Sequence, residues 1–128
     1  MSSATRELIQ RHWALANARQ WDAFAALLHP GLRYEVPQTR EYTDSADGYL
    51  EMFRTWPGAW QATITNLVCE THEAICVIDF AVGDQRMIGI SIFGVADGRI
   101  GSVTDYWPDP YEPPPRATPL LKRRPAPL

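Results

Sequence analysis

Asp79 and Asp105 are the residues of this sequence whose type and position best suit acid/base chemistry. Each is a lone carboxylate in an apolar, β-rich segment, and Asn66 interrupts a third segment in the same way. An isolated carboxylate in a core is costly unless it is paired, neutralised or hydrated. An apolar cavity that contains all three polar groups would account for their positions. Such a cavity raises the pKa of a carboxyl toward the working pH, so the predicted chemistry is proton transfer.

Two other interpretations of these residues stay open. Each can be a hydrogen-bonded structural group, or a β-bulge can turn one of them outward, because a slip of one residue reverses every side chain beyond it. With ~4.8 Å per strand and ~3.4 Å per residue, Asp79 and Asp105 are about 12 Å apart on a flat sheet. They are too far apart to share a proton, but they can flank a ring-sized ligand.

His12 and Tyr34 are the next candidates for the lining of a cavity. His12 lies on an apolar helical stripe and is either a hydrogen-bonded core histidine or an acid/base group. Tyr34 alternates with apolar residues of a short strand, where its hydroxyl needs a partner. The other pocket candidates are aromatic or aliphatic: Trp13, Phe53, Trp56, Ile90 and Trp107.

The segments that must position these residues begin with helices. Ser2 or Ser3 can cap a first helix, and a second is predicted at about 22–28. A short strand at 32–36 precedes a third helix, which is capped by Ser45 and ends near Trp56.

Four strands follow, at 61–70, 74–82, 85–95 and 99–107. Gly83-Asp84 and Asp97-Gly98 are two-residue turn signals between them. Helices followed by an antiparallel meander indicate an α+β fold, in which three N-terminal helices pack on one face of a curved, mainly antiparallel sheet.

Hairpins without bulges place the more apolar face of the meander against the helices. In that register Asp105 and Trp107 point inward, while Thr104 and Tyr106 point outward. The complete inward set is Ile64, Asn66, Val68, Ile75, Val77, Asp79, Ile88, Ile90, Ile92, Val103, Asp105 and Trp107.

The same register predicts an apolar patch on the outer face of the sheet. Phe80, Met87 and Phe93 would lie there, and monomers rarely expose patches of several hundred Å². A homodimer formed through the outer sheet face is therefore expected.

Charge and composition divide the chain into a domain at 1–107 and a Pro-rich C-terminal arm or tail at 108–128. The domain carries eight arginines and thirteen acidic residues, a charge of −5, which argues against nucleic acid as a partner. The tail holds eight of the eleven prolines and a charge of +2. We expect a cytoplasmic protein with reduced cysteines, no membrane segment and no metal, since neither an apolar span nor metal-ligand spacing is present in the sequence.

Three stretches resemble the nuclear transport factor 2-like superfamily, in particular its SnoaL-like, polyketide cyclase-like branch. They are RHWALANARQWDAFAALLHPGLRYEVP, TWPGAW and DGRIGSVTDYWPDPYEPP, and the resemblance covers about residues 5–115. It implies a cystatin-like α+β barrel whose sheet wraps with three helices into a cone, often dimeric through the outer sheet face.

The resemblance also brings three chemistries to compare. Ketosteroid isomerases place an Asp where this chain has Val36, and a Tyr where it has His12, so that activity is not expected. Limonene-type epoxide hydrolases need an Arg-x-Asp strand; Asp79 and Asp105 could stand for the two acids, but Val77 occupies the Arg position. SnoaL-like cyclases use an Asp as general acid/base, and Asp105 is the matching candidate.

We therefore expect a cofactor-independent enzyme that cyclises or isomerises a small, apolar, oxygenated, polyketide-like molecule. Asp105 would be the acid/base, with His12, Tyr34, Asp79 and Asn66 as orienting groups. The alternative from another class is a non-catalytic ligand-binding or dimerisation module with the same cavity.

Overall fold

The computed structural model describes residues 3–125 and contains three helices and one six-stranded sheet. The helices are α1 (Ser3–Asn17), α2 (Trp21–Ala25) and α3 (Ala46–Thr55). The strands are β1 (Leu28–Val36), β2 (Glu41–Thr43), β3 (Gln61–Cys69), β4 (Glu73–Val82), β5 (Gln85–Ala96) and β6 (Arg99–Tyr106).

The sheet has the order β2-β1-β6-β5-β4-β3. The pair β1–β6 is parallel and all other neighbours are antiparallel, so the predicted α+β fold with a mainly antiparallel sheet is confirmed. The sheet is open, because β2 and β3 lie at its two edges and do not pair with each other. The sheet of the expected α+β barrel is therefore not closed.

Helix α1 is fixed to the sheet by its apolar face and by its last residue. Ile9, Trp13 and Ala16 are buried at helical spacing. The amide of Asn17 donates to the carbonyl of Ala62 (2.7 Å) and its Oδ1 accepts from the Ala62 N–H (2.8 Å). This pair of hydrogen bonds attaches the end of α1 to edge strand β3.

Helix α3 begins as predicted. The Ser45 Oγ accepts a hydrogen bond from the Gly48 N–H (3.1 Å), which satisfies one of the free amides of the first turn. Ser2, the alternative cap proposed for α1, lies outside the described residues, and Ser3 is already the first residue of that helix.

Several predicted boundaries are corrected. Helix α2 ends at Ala25 instead of residue 28, and β1 begins at Leu28, ahead of Pro30. The early start is possible because an irregularity between Leu28 and Arg33 interrupts the ladder to β6. Pro30 lies in this interruption, where the ladder requires no N–H donor. The short strand β2 was not predicted.

Two of the predicted hairpin turns are confirmed. Val82 pairs with Gln85 across Gly83-Asp84, and Ala96 pairs with Arg99 across the Asp97-Gly98 turn. Both Asp97 and Gly98 have positive φ, as a tight hairpin turn requires.

The predicted faces of β4, β5 and the second half of β3 are wrong, whereas Ile64 in the first half of β3 lies inward as predicted, opposite Ile78. Cys76, Ile78, Phe80, Ser91 and Phe93 are buried against the helices. The outer face instead carries the apolar residues of the alternate positions, together with Asp79: Val68, Ile75, Val77, Ile88, Ile90 and Ile92. Apolarity alone misleads here because the outer face is itself rich in isoleucine, whereas the inner face needs small residues beneath large aromatic rings.

Asp105 and Val103 nevertheless point inward, as predicted. A register shift opposite Gly94 and Val95 inserts Gly101 as an extra residue in β6, so that Asp105 pairs with Ser91 and not with Ile90. Two differences from the predicted sheet, the bulge in β6 and the reversed face of β5, each turn Asp105 to the opposite side, so together they leave it inward. Thr104 and Tyr106 lie on the outer side, and Trp107 is half-buried on the inner side.

Gly89 provides the space that Trp107 occupies on the inner face. A Cβ at Gly89 would lie 2.8 Å and 2.9 Å from two atoms of the Trp107 ring and 3.0 Å from Ile78 Cγ1. These distances are shorter than van der Waals contact, so any larger residue must displace the ring or the strand.

We predict that Gly89→Ala changes the near-UV circular dichroism of the protein and lowers the free energy of unfolding by about 1–3 kcal/mol, the usual effect of overpacking. Gly31→Ala is the matched control, since a Cβ there would meet only the His29 ring at 3.7 Å. Equal unfolding curves for both variants in urea would contradict the proposed close packing of Trp107.

Candidate functional site

A cavity of about 200 Å³ lies between helices α1 and α3 and the inner face of the sheet. Its wall is mainly aromatic and aliphatic, and Asp105 and the Tyr34 side chain are its buried polar groups. The residues that line it are Trp13, Tyr34, Val36, Thr39, Glu41, Tyr42, Thr43, Gly48, Met52, Phe53, Trp56, Trp60, Phe80, Asp105 and Trp107.

Asp105 is held by two hydroxyl groups from neighbouring strands. The Tyr34 hydroxyl of β1 donates to Oδ2 (2.7 Å), and the Ser91 hydroxyl of β5 donates to Oδ1 (2.6 Å). Because β1 and β5 flank β6 on its two sides, the carboxyl group is fixed from both directions. The Asp105 residue is only 3% exposed, so its orientation is set by these bonds and not by solvent.

Burial raises the pKa of Asp105 from 3.8 to about 6. The largest cause is the loss of solvation, which disfavours the charged form, and the hydrogen bonds from Ser91 and Tyr34 lower the pKa in part. Burial also raises the pKa of Tyr34, and the adjacent Asp105 carboxylate raises it further. The pair therefore has one group that titrates close to neutral pH and one that keeps its proton.

His12 lies in the aromatic core behind the cavity and does not line it. Its Nε2 is 2.7 Å from the Tyr49 hydroxyl, while its Nδ1 has no hydrogen-bond partner among the described residues. The rings of Trp13, Phe24 and Phe93 surround it at centroid distances of 4.5–5.1 Å. Burial lowers the pKa of His12 to about 3, so the imidazole is neutral at physiological pH.

Four of the predicted aromatic pocket residues line the cavity: Trp13, Phe53, Trp56 and Trp107. The backbone of Trp107 is fixed by the side chain of Gln38, whose Nε2 donates to the Trp107 carbonyl (2.9 Å) and whose Oε1 accepts from the Trp107 N–H. Its ring packs edge-on against Phe80, with centroids 5.4 Å apart.

Asn66, Asp79 and Ile90 are not in the cavity, which corrects their predicted position. The ladder pairs Asn66 with Val77 and Val77 with Ile90 on the outer face. Asp79 lies on the same face, where its Oδ2 accepts from Arg86 Nη1 at 3.0 Å. For Asp79 and Ile90 the physical reason is the reversed face of β4 and β5. For Asn66 it is a second bulge at Thr65, which turns Asn66 outward although Ile64 lies inward.

The sequence did not reveal two hydrogen bonds, that of Ser91 with Asp105 and that of Tyr49 with His12. Ser91 was assigned to the outer face, yet it supplies one of the two hydrogen bonds to Asp105. A glycine inside a strand often marks a bulge. Gly101 was therefore the available signal, since a bulge there would have paired Ser91 with Asp105.

Within residues 3–125, no helix is long and apolar enough to cross a membrane. The same part of the chain contains no group of three or more His, Cys, Asp or Glu side chains close enough to hold a metal ion.

The chain belongs to the SnoaL-like domain family, because the model of that family matches residues 9–103. The match begins in α1 and ends in β6 and so spans the elements that enclose the cavity. A search of curated proteins found no match.

Solved structures with this fold come from several organisms. A protein of Kribbella flavida DSM 17836, described as a "putative ketosteroid isomerase", is 39% identical, with a TM-score of 0.92; the alignment covers 98% of this chain and 93% of that one. An LEH-like epoxide hydrolase of M. tuberculosis is 17% identical, with a TM-score of 0.70 and 84% of each chain covered. A "putative polyketide cyclase" of Xanthomonas campestris pv. campestris is 18% identical, with a TM-score of 0.66 and coverages of 84% and 92%. The last two likenesses show the fold alone.

The raised pKa of Asp105 predicts a specific pH dependence of stability. Since the folded protein favours the neutral acid, the stability contributed by Asp105 is complete below about pH 3.8 and is lost as the pH rises through about 6. Asp105→Asn cannot ionise, so its free energy of unfolding relative to that of the unmodified protein should be about 2.4 kcal/mol higher at pH 8 than at pH 4. Urea denaturation at both pH values measures this difference.

The matched control is Tyr34→Phe, which keeps the carboxyl but removes one hydrogen bond to its charged form. In this variant the pKa of Asp105, followed by the carbon-13 resonance of the carboxyl, should rise further. A pH-independent difference between Asp105→Asn and the unmodified protein would contradict the assignment.

Proposed function

We propose that this protein is a cofactor-independent enzyme in which Asp105 moves a proton of a small, apolar, oxygenated substrate. The observation that carries the proposal is a single buried carboxyl group at the wall of an aromatic cavity, with a pKa of about 6. General acids and bases work best when their pKa lies near the working pH, and an apolar site is how a carboxyl group reaches that range.

Proton transfer by Asp105 accounts for two reactions of a carbonyl compound. Each carboxylate oxygen keeps acceptor capacity beyond its hydroxyl hydrogen bond. The carboxylate removes a proton from the carbon beside a carbonyl; the C–H electron pair forms an enolate, and the proton moves to Asp105. Return of the proton to a different carbon completes an isomerisation. Attack of the enolate carbon on a second carbonyl of the same molecule forms a C–C bond, and protonation of the alkoxide by Asp105 completes an aldol cyclisation.

The cavity volume favours a small substrate. A protein cavity of about 150 Å³ can hold benzene, and the volume here is about 200 Å³. A molecule of one or two rings suits this space better than a fused polycyclic product. Its carbonyl or hydroxyl oxygen would face Tyr34 and Asp105, and its apolar part would contact Trp60 and Phe80.

The residues at the cavity limit which activities of similar proteins can be proposed for this chain. Val36 lines it at the position where the resemblance to ketosteroid isomerases implies a catalytic Asp, so the same cavity would have to use Asp105 instead. Asp79, the second acid of the epoxide hydrolase interpretation, lies on the outer face in an ion pair with Arg86. Cyclisation or isomerisation through one carboxyl group is therefore the proposal that these residues support.

A non-catalytic ligand-binding module is the second candidate, and one observation favours it. Both oxygens of Asp105 already accept short hydrogen bonds, and the residue is nearly sealed from solvent. A carboxyl group that is held in this way can orient a ligand without exchanging a proton with it.

Asp105→Asn separates the two candidates. In the variant the amide oxygen still accepts from one hydroxyl, and the amide Nδ2 donates to the other, since the hydroxyls of Tyr34 and Ser91 can each accept as well as donate. The fold and the binding of a ligand should therefore persist. In the enzyme, turnover of carbonyl compounds found by thermal-shift screening should fall by about two to four orders of magnitude. In the binding module the dissociation constant is the quantity that changes, and no turnover is found with either protein. Full activity of Asp105→Asn would end the catalytic assignment.

We also propose that two copies associate through the outer face of the sheet. Ile75 is 44% exposed and Ile88 is 55% exposed, and Val77, Ile90 and Ile92 continue the same face. Phe80 and Phe93, which the sequence placed there, are buried inside. The association is therefore argued from the isoleucines, which a second copy would remove from water.

Ile88→Asp should convert the dimer to a monomer at micromolar concentration, because the charge would be buried without a partner in the interface. Ala14→Asp adds the same charge to an exposed position of helix α1 and should leave the mass unchanged. Sedimentation velocity measures both variants. A monomeric unmodified protein, or a dimer that tolerates Ile88→Asp, would refute association through this face.

A further inference from the structure

The C-terminal arm, residues 108–125, makes no hydrogen bond or ion pair to the described residues of the domain. It contains no helix or strand, and almost all of its residues are exposed. Each hydrogen bond that these described residues make has both partners within the arm. The arm does not line the cavity and takes no part in the proposed proton transfer.

The arm is folded back into a hook that holds two leucines away from the domain. The Leu121 N–H donates to the Thr118 carbonyl (3.1 Å) and forms a turn. The Arg123 guanidinium pairs with Glu112 Oε1 at 2.7 Å, which closes the hook eleven residues apart. Leu120 is 93% exposed and Leu121 is 64% exposed at its tip. Water contact of two adjacent leucines is unfavourable, so this tip is suited to a docking surface.

The charge of the arm is opposite to that of the domain. Residues 108–128 carry +2, and residues 1–107 carry −5. Lys122 and Arg124 follow the leucines directly and form no ion pair among the described residues. A surface that binds the tip of the arm must therefore present a small apolar patch bordered by acidic groups. An acidic domain disfavours an anionic membrane as that surface.

The outer sheet face of the chain itself has this combination. Val68 and Ile75 face each other across β3 and β4, and they are 66% and 44% exposed. Immediately beyond them the Glu70 N–H donates to the Glu73 carbonyl (2.7 Å), so a tight turn brings two exposed glutamates to the end of the apolar pair.

This turn lies at the end of the sheet opposite the origin of the arm. Strand β4 runs in the same direction as β6, so Glu73 begins β4 at one end while Trp107 leaves β6 at the other. Thirteen residues connect Pro108 to Leu120, and once the Glu112–Arg123 ion pair opens they span about 40 Å in a polyproline conformation. A ten-residue strand is about 34 Å long. The arm is therefore long enough to cross a facing sheet.

We propose that the arm of each copy docks on the outer sheet face of a second copy. Leu120 and Leu121 pack on Val68 and Ile75 of that copy, while Lys122 and Arg124 face its Glu70 and Glu73. This inference rests on the proposed association through the outer face and adds a specific contact at its border.

A charge exchange in the full-length protein tests the contact. Lys122→Glu with Arg124→Glu, and separately Glu70→Lys with Glu73→Lys, should each raise the dimer dissociation constant about tenfold by placing like charges together. All four substitutions in one chain should restore it. All four side chains are exposed, so the fold should be unaffected, and circular dichroism checks this.

The matched control combines Lys122→Glu and Arg124→Glu with Glu7→Lys and Glu51→Lys. This variant has the same net charge as the restored one, but its new lysines lie on helices α1 and α3, and the dissociation constant should stay high. Recovery in the control, no weakening in the first two variants, or no recovery in the exchange would each overturn the arm contact.

Two further outcomes distinguish the arm contact from the association through the outer sheet face on which it rests. If Ile88→Asp abolishes the dimer but the charge variants leave it unchanged, association through the face stands and the arm contact fails. If the protein is monomeric throughout, both fail. Binding of the unmodified protein to phosphatidylserine vesicles that is lost with Lys122→Glu and Arg124→Glu, without any effect on self-association, would assign the arm to a membrane surface instead.

Discussion

The buried carboxyl group of Asp105 is the constraint on which the rest of the site depends. A carboxyl group inside an aromatic core needs hydrogen-bond partners, and the two hydroxyls that meet it come from strands on both sides of β6. This requirement fixes the register of β1, β5 and β6 at one point. The same burial raises the pKa of Asp105 to about 6, so the interaction that organises the sheet also makes this residue suitable for proton transfer.

The small residues of the inner sheet face follow from the large rings that lie above it. Gly89 leaves room for Trp107, and Ser91 is short enough to place its hydroxyl under Asp105. An isoleucine at position 89 would collide with the Trp107 ring, and one at position 91 would remove a hydrogen bond to Asp105. The aliphatic residues are therefore on the outer face, and the sheet has two apolar faces. One encloses the cavity, and the other is the face through which we propose that two copies associate.

The family and the site carry different amounts of information about function. Membership in the SnoaL-like family and the likeness to solved structures define the fold, and the fold supports several chemistries. The individual residues limit these chemistries. Val36 stands where the resemblance to ketosteroid isomerases implies a catalytic Asp, and Asp79, the second acid of the epoxide hydrolase interpretation, points outward. What is left is one carboxyl group, one phenol and an aromatic wall, and these are the groups on which the proposed proton transfer rests.

The inward position of Asp105 was predicted correctly only because the unpredicted bulge at Gly101 and the reversed face of β5 offset each other. The sequence by itself determined the helices and the Gly83-Asp84 and Asp97-Gly98 turns, because periodicity and turn chemistry act over a few residues. Tyr34 and four aromatic residues of the cavity were also identified in this way. Only the tertiary structure decided the bulge at Gly101, the outward isoleucines, the contact of Ser91 with Asp105 and the place of His12 behind the cavity. These features depend on how strands and helices distant in sequence pack together, and a single extra residue in one strand reverses every side chain after it.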